Sequence, residues 1–510
     1  MSHDFEVAIV GGGHNALVAA CYLAKAGKKV VVLEKNQEFG GATKSVYAFE
    51  GVGAKLSRYS YLVALFPDQI KQDLDLKFET LSRTVSSYTP SGNTGILINR
   101  SFDAESRESI TAFASNIEES DAWERFYKRI GVFAEVLAPT MLEPLKDETE
   151  VKALIGEELW DEFVVQPLEV TLSKYFKNDL VKGIVLTDGL IGTFTSATER
   201  LSNICFLYHL IGNGTGEWRV PKGGMGKLVE ALLQRATSLG VEMRVGTEVL
   251  GVNTSKDGVT IKLNTGEELS AKVLLSGAAP KVLERIAGIN APTLRDGSQV
   301  KMNMVLKRLP NLKSGVDPRR AFAGTFHIDE SYEQLEKAYH QAKSGVIPDV
   351  IPSEMYCHTL TDPSILSESM QEAGNHTLTL FALHTPASLF DKDHDLVKVE
   401  VTKRILAGLN RYLVEPIEEL LLNDAAGQPC IEVKTPQELE AEIDLPRGNI
   451  FHSDLMWPWR TRGEQGKWGV ETTHDRIFIA GAGAVRGGGV SGIAGHNAAM
   501  AALERLAKSN

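Results

Sequence analysis

The chain has 510 residues, and its 54 Lys and Arg against 66 Asp and Glu give a formal net charge of −12. This acidic balance argues against nucleic acid as a partner, because nucleic-acid binding draws on clustered Lys and Arg. A composition that is 43% hydrophobic and 24% charged is typical of a globular protein and excludes the disordered and disulfide-scaffold classes. At about 150 residues per domain, the length predicts about three domain-sized masses or one large composite domain.

The cysteines and the amino terminus bear on the compartment. Cys21, Cys205, Cys357 and Cys430 show neither a CxxC pair nor metal-ligand spacing, and they are too few to cross-link a chain of this length. We therefore expect a reducing, cytoplasmic environment and no bound metal. The acidic start predicts no secretory or transit peptide, and no apolar run reaches about 18 residues, so we expect no transmembrane segment. Peripheral contact with a membrane stays open.

The first forty residues carry the strongest local pattern. Residues 7–10 are an apolar run typical of a buried parallel strand, and they end at the glycines 11–13. Residues 16–26 have helical periodicity and end at Gly27, and residues 29–33 form a second apolar run that ends at an acid. This order of strand, glycine turn, helix, strand and acid predicts a dinucleotide-binding βαβ unit.

Each residue type in this unit has a physical role. Gly11 permits the sharp turn, and Gly13 lets the backbone approach a pyrophosphate. Ala16 occupies the third small position, and the helix that starts near Asn15 offers unpaired N–H groups to the anion. Glu34 would accept hydrogen bonds from the ribose hydroxyls of the adenosine, and its charge disfavours the 2′-phosphate of NADP.

A second glycine pair bears on which dinucleotide is expected, and it suggests a flavin. Gly40 and Gly41, followed by Ala42 and Thr43, stand where an ordinary NAD domain would continue into its next helix. Together with residues 7–15 and the Leu-Glu-Lys that precedes it, this pair resembles the FAD-binding start of the phytoene desaturase and amine oxidase superfamily. The likeness is strongest to the phytoene-dehydrogenase-like branch of that superfamily, and it implies FAD as the cofactor.

The resemblance also implies the fold class and domain organisation. We expect an α/β protein with a discontinuous Rossmann-like FAD-binding domain and an interleaved substrate domain of mixed sheet and helices. The FAD-binding parts are expected near residues 1–85, 216–300 and 446–510, and the substrate-binding parts at 86–215 and 301–445. The resemblance therefore replaces the three domains expected from chain length with two interleaved domains.

Two later segments extend the resemblance. Residues 476–480 predict a strand, residues 481–497 are rich in glycine, and a helix is expected from residue 498. In the family, this strand end and helix start lie along the flavin. Ala482 stands where amine oxidases often carry an acid, which favours the phytoene desaturase branch. A third segment holds a glycine loop at 221–226 and a helix at 227–239, followed by strands.

The resemblance implies a set of cofactor-binding residues, which includes the backbone amide of Val249 at the adenine. Non-covalent FAD is expected, because no cysteine lies in the carboxyl-terminal flavin segment. The residues implied to bind FAD are Gly11, Gly13, His14, Asn15, Ala16, Glu34, Lys35, Gly40, Gly41, Ala42, Thr43, Ser57, Val249, Gly481, Ala482, Gly489 and Val490.

The predicted chemistry is hydride removal from a carbon of a small or apolar, lipid-like substrate, as in desaturases, dehydrogenases and oxidases. Oxygen, a quinone or another acceptor would reoxidise the flavin. A disulfide reductase is disfavoured, because the sequence has no CxxxxC and no second GxGxxG. His452 is the candidate catalytic residue, since the family also shows a histidine just before the final FAD segment.

Three alternatives remain at this point. A flavin-dependent hydratase or isomerase would use the same motifs without net redox change. A non-enzymatic binding protein related to GDP-dissociation inhibitors would share the fold, but the intact glycines 487–489 argue against it. An NAD dehydrogenase would leave the carboxyl-terminal glycine segment unexplained. The sequence leaves the substrate, the electron acceptor and the oligomeric state open.

Overall fold

The computed structural model describes residues 3–63, 65–212, 216–461 and 466–508. The strands are β1 (Phe5–Val10), β2 (Val30–Leu33), β3 (Ser45–Tyr47), β4 (Lys55–Ser57), β5 (Thr80–Ser82), β6 (Val85–Ser91), β7 (Thr94–Asn99), β8 (Arg219–Pro221), β9 (Glu242–Arg244), β10 (Val249–Thr254), β11 (Val259–Leu263), β12 (Glu268–Ser276), β13 (Val300–Leu306), β14 (Thr325–Ile328), β15 (Ser353–Tyr356), β16 (His376–Ala382), β17 (Ile431–Lys434) and β18 (Ile477–Ile479). The described structure contains two seven-stranded sheets, the two-stranded sheets β3–β4 and β5–β8, and a layer of helices.

Helices connect and cover these strands. They are α1 (His14–Lys25), α2 (Asp68–Asp73), α3 (Ala104–Ala114), α4 (Ile117–Leu137), α5 (Glu148–Ile155), α6 (Glu157–Trp160), α7 (Leu168–Tyr175), α8 (Asp179–Thr187), α9 (Arg200–Ile211), α10 (Gly226–Ser238), α11 (Pro280–Ala287), α12 (Pro318–Ala321), α13 (Tyr332–Lys343), α14 (His358–Thr361), α15 (Glu368–Glu372), α16 (His394–Asn410), α17 (Ile417–Leu420), α18 (Pro436–Ile443) and α19 (Ile493–Ala507).

The first sheet has the order β10–β11–β12–β1–β2–β9, and β18 also pairs with β12. β1 lies between β2 and β12 and is parallel to both. β2 pairs in parallel with β9, and β12 with β18. β1 and β2 are apolar without alternation because both faces are covered. Helices α1, α10 and α19 pack on one face, and residues of β10, β11 and α11 pack on the other. The predicted βαβ unit is confirmed.

The second sheet has the order β17–β13–β16–β15–β14–β6–β7. Its pairs are antiparallel except for the parallel pair of β14 with β6. All seven residues of β13 are buried. Met302 and Met304 face a core that includes helix residues, and Lys301 and Asn303 bond the backbone carbonyls of Ser57 and Arg58. Strands of the first sheet come from residues 5–33, 242–276 and 477–479, whereas those of the second come from 85–99 and 300–434. The mixed, interleaved α/β fold expected from the sequence is confirmed.

A helical layer packs beside the second sheet. Helices α3 to α9 surround an aromatic core in which Phe126, Phe133, Phe176 and Phe206 are almost fully buried. α4 ends at Leu137 because Pro139 follows in a 3₁₀ turn. No helix in the described ranges combines the length and apolar character needed to cross a membrane.

The carboxyl-terminal helix differs from the sequence prediction. It begins at Ile493 rather than at residue 498, and the left-handed Gly492 precedes it. The prediction was wrong because it treated Gly495 as part of the loop. A Cβ at Gly495 would lie 1.9 Å from the carbonyl oxygen of Asn15, so this glycine lets α19 pack directly against the start of α1. Close helix packing, and not a turn, accounts for Gly495.

Candidate functional site

A cavity of about 260 Å³ lies between the two sheets. The residues that follow β1, β2, β12 and β18 form one wall of this cavity, and residues of β13 and β16 contribute to the other. Ligands of open α/β sheets bind in the crevice at the carboxyl ends of the strands. The cavity is therefore the candidate site.

The first glycine turn presents backbone to the cavity. A Cβ at Gly13 would meet no atom within 4 Å, so the space above this residue is open. Gly13 is also the N-cap of α1, and no side chain caps the free N–H groups there. These groups carry the positive end of the helix dipole, which suits a pyrophosphate.

Glu34 is fixed at the end of β2. One carboxylate oxygen accepts a 2.7 Å hydrogen bond from the Gly12 backbone, and the other accepts one of 2.9 Å from the Asn36 backbone. The side chain is 6% exposed and lines the cavity. Two anchored oxygens still leave acceptor lone pairs for hydroxyl donors such as those of a ribose.

The second glycine pair packs against the first glycine turn. The Gly40 backbone donates a 2.9 Å hydrogen bond to the Gly12 carbonyl, and a Cβ at Gly41 would lie 3.4 Å from the Gly13 Cα. Thr43 follows and shares a 2.9 Å hydrogen bond with Nδ1 of His14. The two glycine motifs, separate in sequence, thus form one continuous backbone surface.

The carboxyl-terminal glycine segment closes the same wall. A Cβ at Gly481 would lie 2.7 Å from the Gly277 carbonyl oxygen, so β18 ends tightly against the turn after β12. Gly481, Ala482, Gly489 and Val490 all line the cavity. A flat cofactor ring could lie along this stretch because backbone dominates its surface.

Several buried polar atoms around the cavity have no hydrogen-bond partner within the described chain. They are Nε2 of His14, Oδ1 of Asn15, Nδ1 of His452 and both amide atoms of Gln299. Native proteins rarely leave such atoms unpaired, because each costs about 1–3 kcal/mol. Their convergence on one cavity fits a polar ligand that spans it, and a dinucleotide with phosphates, hydroxyls and a flavin ring has suitable partners for them.

The second-sheet wall contains a buried lysine. Lys301 is 1% exposed, and its ammonium nitrogen lies 2.7 Å from the Ser57 carbonyl oxygen. It sits 5.1 Å from the ring centre of Phe381, its register partner on β16, and 5.7 Å from that of Tyr61. Burial holds the pKa of Lys301 well below its ordinary value. The Lys301 nitrogen therefore lies close to two aromatic rings in this wall.

The cavity histidines are neutral at neutral pH. Burial lowers the pKa values of His14, His209 and His452 to about 4. Nδ1 of His209 bonds the Cys205 carbonyl at 2.9 Å, and its ring stacks 5.1 Å from that of Trp218. These imidazoles suit hydrogen bonding to a ligand better than proton uptake.

Most of the sequence-predicted residues meet at this cavity. The exceptions are Gly40, which supports the wall through Gly12, and Ser57, whose hydroxyl accepts a 3.1 Å hydrogen bond from the Met225 backbone. The predicted residues that line the cavity are Gly11, Gly13, His14, Asn15, Ala16, Glu34, Lys35, Gly41, Ala42, Thr43, Val249, His452, Gly481, Ala482, Gly489 and Val490. Their roles toward a cofactor stay predictions.

Sequence reasoning missed most of the second-sheet wall. Tyr61, Trp218, Gln299, Lys301 and Phe381 line the cavity, and none was predicted as a site residue. One signal was available: the apolar run of β13 is interrupted by Lys and Asn two positions apart, which places both on one face of the strand. No cluster of three or more His, Cys, Asp or Glu side chains able to hold a metal occurs among the described residues.

The fold and the cavity define a two-sheet α/β protein of the dinucleotide-binding class. Residues 9–70 match the model of the NAD(P)-binding Rossmann-like domain, and residues 106–344 match that of flavin-containing amine oxidoreductases. An uncharacterized protein of Mycobacterium tuberculosis is 43% identical over 99% of this chain and 98% of its own length. The chain belongs to the phytoene desaturase and amine oxidase superfamily of flavin-dependent oxidoreductases.

Other relatives are more distant. Pyridine nucleotide-disulfide oxidoreductase domain-containing protein 2 of Rattus norvegicus is 28% identical, covering 97% of this chain and 93% of the rat protein. Chloroplastic prolycopene isomerase of Daucus carota is 23% identical over 84% of this chain and 70% of its own. Among solved structures, a putrescine oxidase variant shares the fold, with a TM-score of 0.60, 18% identity and 99% coverage of both chains.

Proposed function

We propose that the protein binds FAD non-covalently and oxidises a small or apolar substrate by removing a hydride from one of its carbons. The observation that carries the proposal is the convergence of unpaired buried polar atoms from His14, Asn15, Gln299 and His452 on the cavity that both glycine motifs line. Bound FAD supplies a two-electron acceptor for the substrate hydride.

The proposed cofactor contacts follow from the wall described above. The free N–H groups of the first turn of α1 and the open space over Gly13 would hold the pyrophosphate. Glu34 would bind the adenosine ribose, and Val249 would lie at the adenine end. The backbone around Gly481 and Gly489 would support the flavin ring.

Non-covalent binding is supported by the positions of the cysteines. Cys21, Cys205, Cys357 and Cys430 are free and buried, and none of the four is among the cavity-lining residues. Burial raises the pKa of Cys357 to about 11, which keeps this thiol protonated. A thiolate attached to a flavin would need both access to the cavity and a lower pKa.

The apolar lining of the cavity supports an apolar substrate. Leu62, Leu65, Ile191, Ile450 and Phe451 line the cavity, and all but Leu62 belong to or pack against the core of the helical layer. The neutral imidazoles and the buried lysine can orient a polar group without imposing a strong charge. This surface would exclude water from the reacting carbon and hold the substrate by burial of apolar area.

A second function has one specific observation in its favour. The likeness to the carrot prolycopene isomerase covers 84% of this chain, so a flavin-dependent isomerisation without net redox change is the alternative. The two functions differ in what happens to the electrons. An oxidase or desaturase leaves its flavin reduced after one anaerobic turnover, whereas an isomerase returns the flavin to its starting state.

The test is anaerobic absorbance spectroscopy of the purified, FAD-loaded protein. Putrescine, cyclohexylamine and prolycopene serve as probes of amine and polyene substrates. Loss of the yellow flavin absorbance with a stoichiometric oxidised product supports the oxidoreductase. Product formation without bleaching selects the isomerase, and a protein that remains colourless after titration with FAD overturns both functions.

A further inference from the structure

A hydrogen bond connects the cavity to a buried group of charges behind its wall. Tyr61 lines the cavity, and its hydroxyl donates to Oε1 of Glu354 at 2.7 Å. Its ring packs 4.3 Å from that of Phe381 and 4.6 Å from that of Tyr356, so it is held on two sides. Glu354 lies on β15 and is 3% exposed. Tyr61 is therefore a fixed bridge between cavity and carboxyl.

Glu354 lies in a cluster of three acids, two of them buried and the third, Asp188, half-buried. Glu330 is fully buried, and one of its carboxylate oxygens accepts a 2.7 Å hydrogen bond from Thr187. Asp188 follows α8 and interacts with Glu354. Among the described residues, Arg83 is the cation that acts on Glu354 and Asp188, and its guanidinium lies 5.4 Å from the ring centre of Tyr356. The titratable and charged groups that face Glu354 are Tyr61, Tyr356, Arg83, His327, Glu330 and Asp188.

This arrangement is costly unless the acids hold protons. Transfer of a carboxylate into a low-dielectric interior costs several kcal/mol, and one arginine cannot neutralise three acids. Burial raises the pKa values of Glu354 and Asp188 to about 7 and that of Glu330 well above its ordinary value. One or two protons can therefore enter or leave the group near neutral pH.

Other groups on the cavity wall are less suited to take up a proton. The pKa values of His14, His209 and His452 near 4 leave them weak bases at neutral pH. Lys301 is engaged with the Ser57 carbonyl. A proton acceptor works best when its pKa lies near the working pH.

We propose that Tyr61 and Glu354 form a relay that accepts the proton the substrate loses during oxidation. This inference rests on the proposed function, and it identifies the group that takes up the proton in the proposed oxidation. The substrate carbon gives its hydride, with the electron pair, to the flavin as oxidant. The adjacent N–H or C–H bond breaks, its electrons form the new C=N or C=C bond, and its proton passes to the Tyr61 oxygen. The Tyr61 hydroxyl proton moves at the same time to Glu354.

In this relay Tyr61 touches the substrate, and Glu354 is a positioning and storage residue that acts through it. Glu354 must be ionised before turnover, because only the carboxylate can take the proton. The rate of flavin reduction should therefore rise with pH and level off above about 7. Because Glu354 and Asp188 interact, the apparent pKa of this pH profile belongs to the pair of acids and not to Glu354 alone.

The first test needs no substrate. In the FAD-loaded protein, infrared difference spectra between pH 5.5 and 8.5 should show a protonated-carboxyl band that Glu354→Gln removes. After transfer into D₂O, exchange of that carboxyl proton should slow at least tenfold in Tyr61→Phe, because the hydroxyl no longer connects Glu354 to the cavity. Exchange at the same rate in both proteins, or no band sensitive to Glu354→Gln, overturns the relay.

A second pair of residues supplies a matched control. Tyr59 also lines the cavity and donates a 2.7 Å hydrogen bond to a carboxylate, that of Glu442. Although partial burial acts to raise it, hydrogen bonds from Lys434 and Tyr59 hold the pKa of Glu442 below its ordinary value. Tyr59→Phe and Glu442→Gln should leave the carboxyl band and its exchange rate unchanged.

The kinetic arm separates the relay from the proposed function. With a probe that bleaches the wild-type flavin, Glu354→Gln and Tyr61→Phe should each slow flavin reduction by roughly 100-fold above pH 8 and flatten its pH profile. FAD content and thermal unfolding of each variant show whether it has folded. If the variants keep the pH profile of the wild type, the relay is wrong and the proposed function stands. If no probe bleaches the wild-type flavin, the result counts against the oxidoreductase, and the infrared experiment alone tests the relay.

Discussion

The two walls of the cavity are built in different ways. The wall that belongs to the first sheet is mainly backbone: glycine turns, helix N–H groups and one anchored acid, all supplied by residues close to strand ends. The opposite wall is built from side chains of Tyr61, Lys301 and Phe381, which lie far apart in sequence. Backbone groups of the first wall suit the phosphates and ribose of a dinucleotide, whereas we expect the side chains of the second wall to select the substrate.

The walls also differ electrostatically. On the first wall, Glu34 has both oxygens bonded to backbone N–H groups. Behind the second wall, Glu354 and Glu330 are buried and Asp188 is half-buried, with Arg83 beside them. Changes to the first wall should therefore alter cofactor affinity, whereas changes to the second should alter reaction rate and pH dependence.

The largest effect should come from filling the open space on the backbone wall. Gly13→Ala places a methyl group where the pyrophosphate would lie, and its extended φ of −71° accepts alanine without strain. We expect FAD affinity to fall by about 10- to 100-fold, or about 1.4–2.8 kcal/mol. Isothermal titration of the FAD-free protein measures this loss.

A second glycine outside the cavity is the control for the loss of FAD affinity expected in Gly13→Ala. A Cβ at Gly131, in α4, also meets no neighbouring atom outside its own helix, and this residue does not line the cavity. Gly131→Ala should keep wild-type FAD affinity. An equal loss of affinity in both variants would show that the backbone wall has no special role.

The next effect concerns the buried lysine of the side-chain wall. Lys301→Met keeps the volume and removes the polar nitrogen, so FAD should still bind within about threefold while flavin reduction slows by about tenfold or more. Stopped-flow absorbance and FAD titration separate the two quantities. Lys307→Met, at an exposed position just after β13, is the control and should change neither. A loss of FAD affinity without a slower reduction would contradict the division between the walls.

The side-chain wall should also make stability depend on pH. Glu354 and Asp188 have ordinary pKa values near 4.5 and 3.8 when unfolded and about 7 when folded. The unfolded chain therefore loses these protons first, and the free energy of unfolding should fall as pH rises from about 4 to 7. In urea unfolding, the free energy of unfolding of Glu354→Gln should rise by about 1–3 kcal/mol relative to that of the wild type as the pH increases from 5 to 8. A constant difference across this range would mean that Glu354 does not titrate there.

The smallest effect is expected at His452. Its low pKa makes it a hydrogen-bonding group rather than a base, so His452→Ala should leave FAD bound and slow flavin reduction by only a few-fold. Rapid-mixing absorbance under anaerobic conditions measures this rate. A reduction rate equal to that of the wild type would show that His452 has no part in the reaction. A rate lower by several orders of magnitude would show that His452 is the principal base.

Local sequence patterns predicted the backbone wall and part of the fold. Gly11, Gly13 and Glu34 are recognisable because strand, turn and helix are neighbours in the chain and their spacing is fixed by backbone geometry. The start of α18 carries a local signal of the same kind, because Thr435 and Glu438 form a capping box on each other's backbone N–H groups. The start of α19 was missed, because only contact with α1 explains Gly495.

The amino-acid sequence by itself determined the interleaved α/β fold and the family of this protein, and it predicted a dinucleotide site at the glycine turns. Only the tertiary structure brought Tyr61 to Glu354, 293 positions away, and Lys301 to Ser57, 244 positions away. No local spacing encodes such pairs, since they depend on how two sheets and their connecting loops pack. The physical reason is that backbone sites follow from short-range geometry, whereas buried side-chain networks follow from the complete packed core.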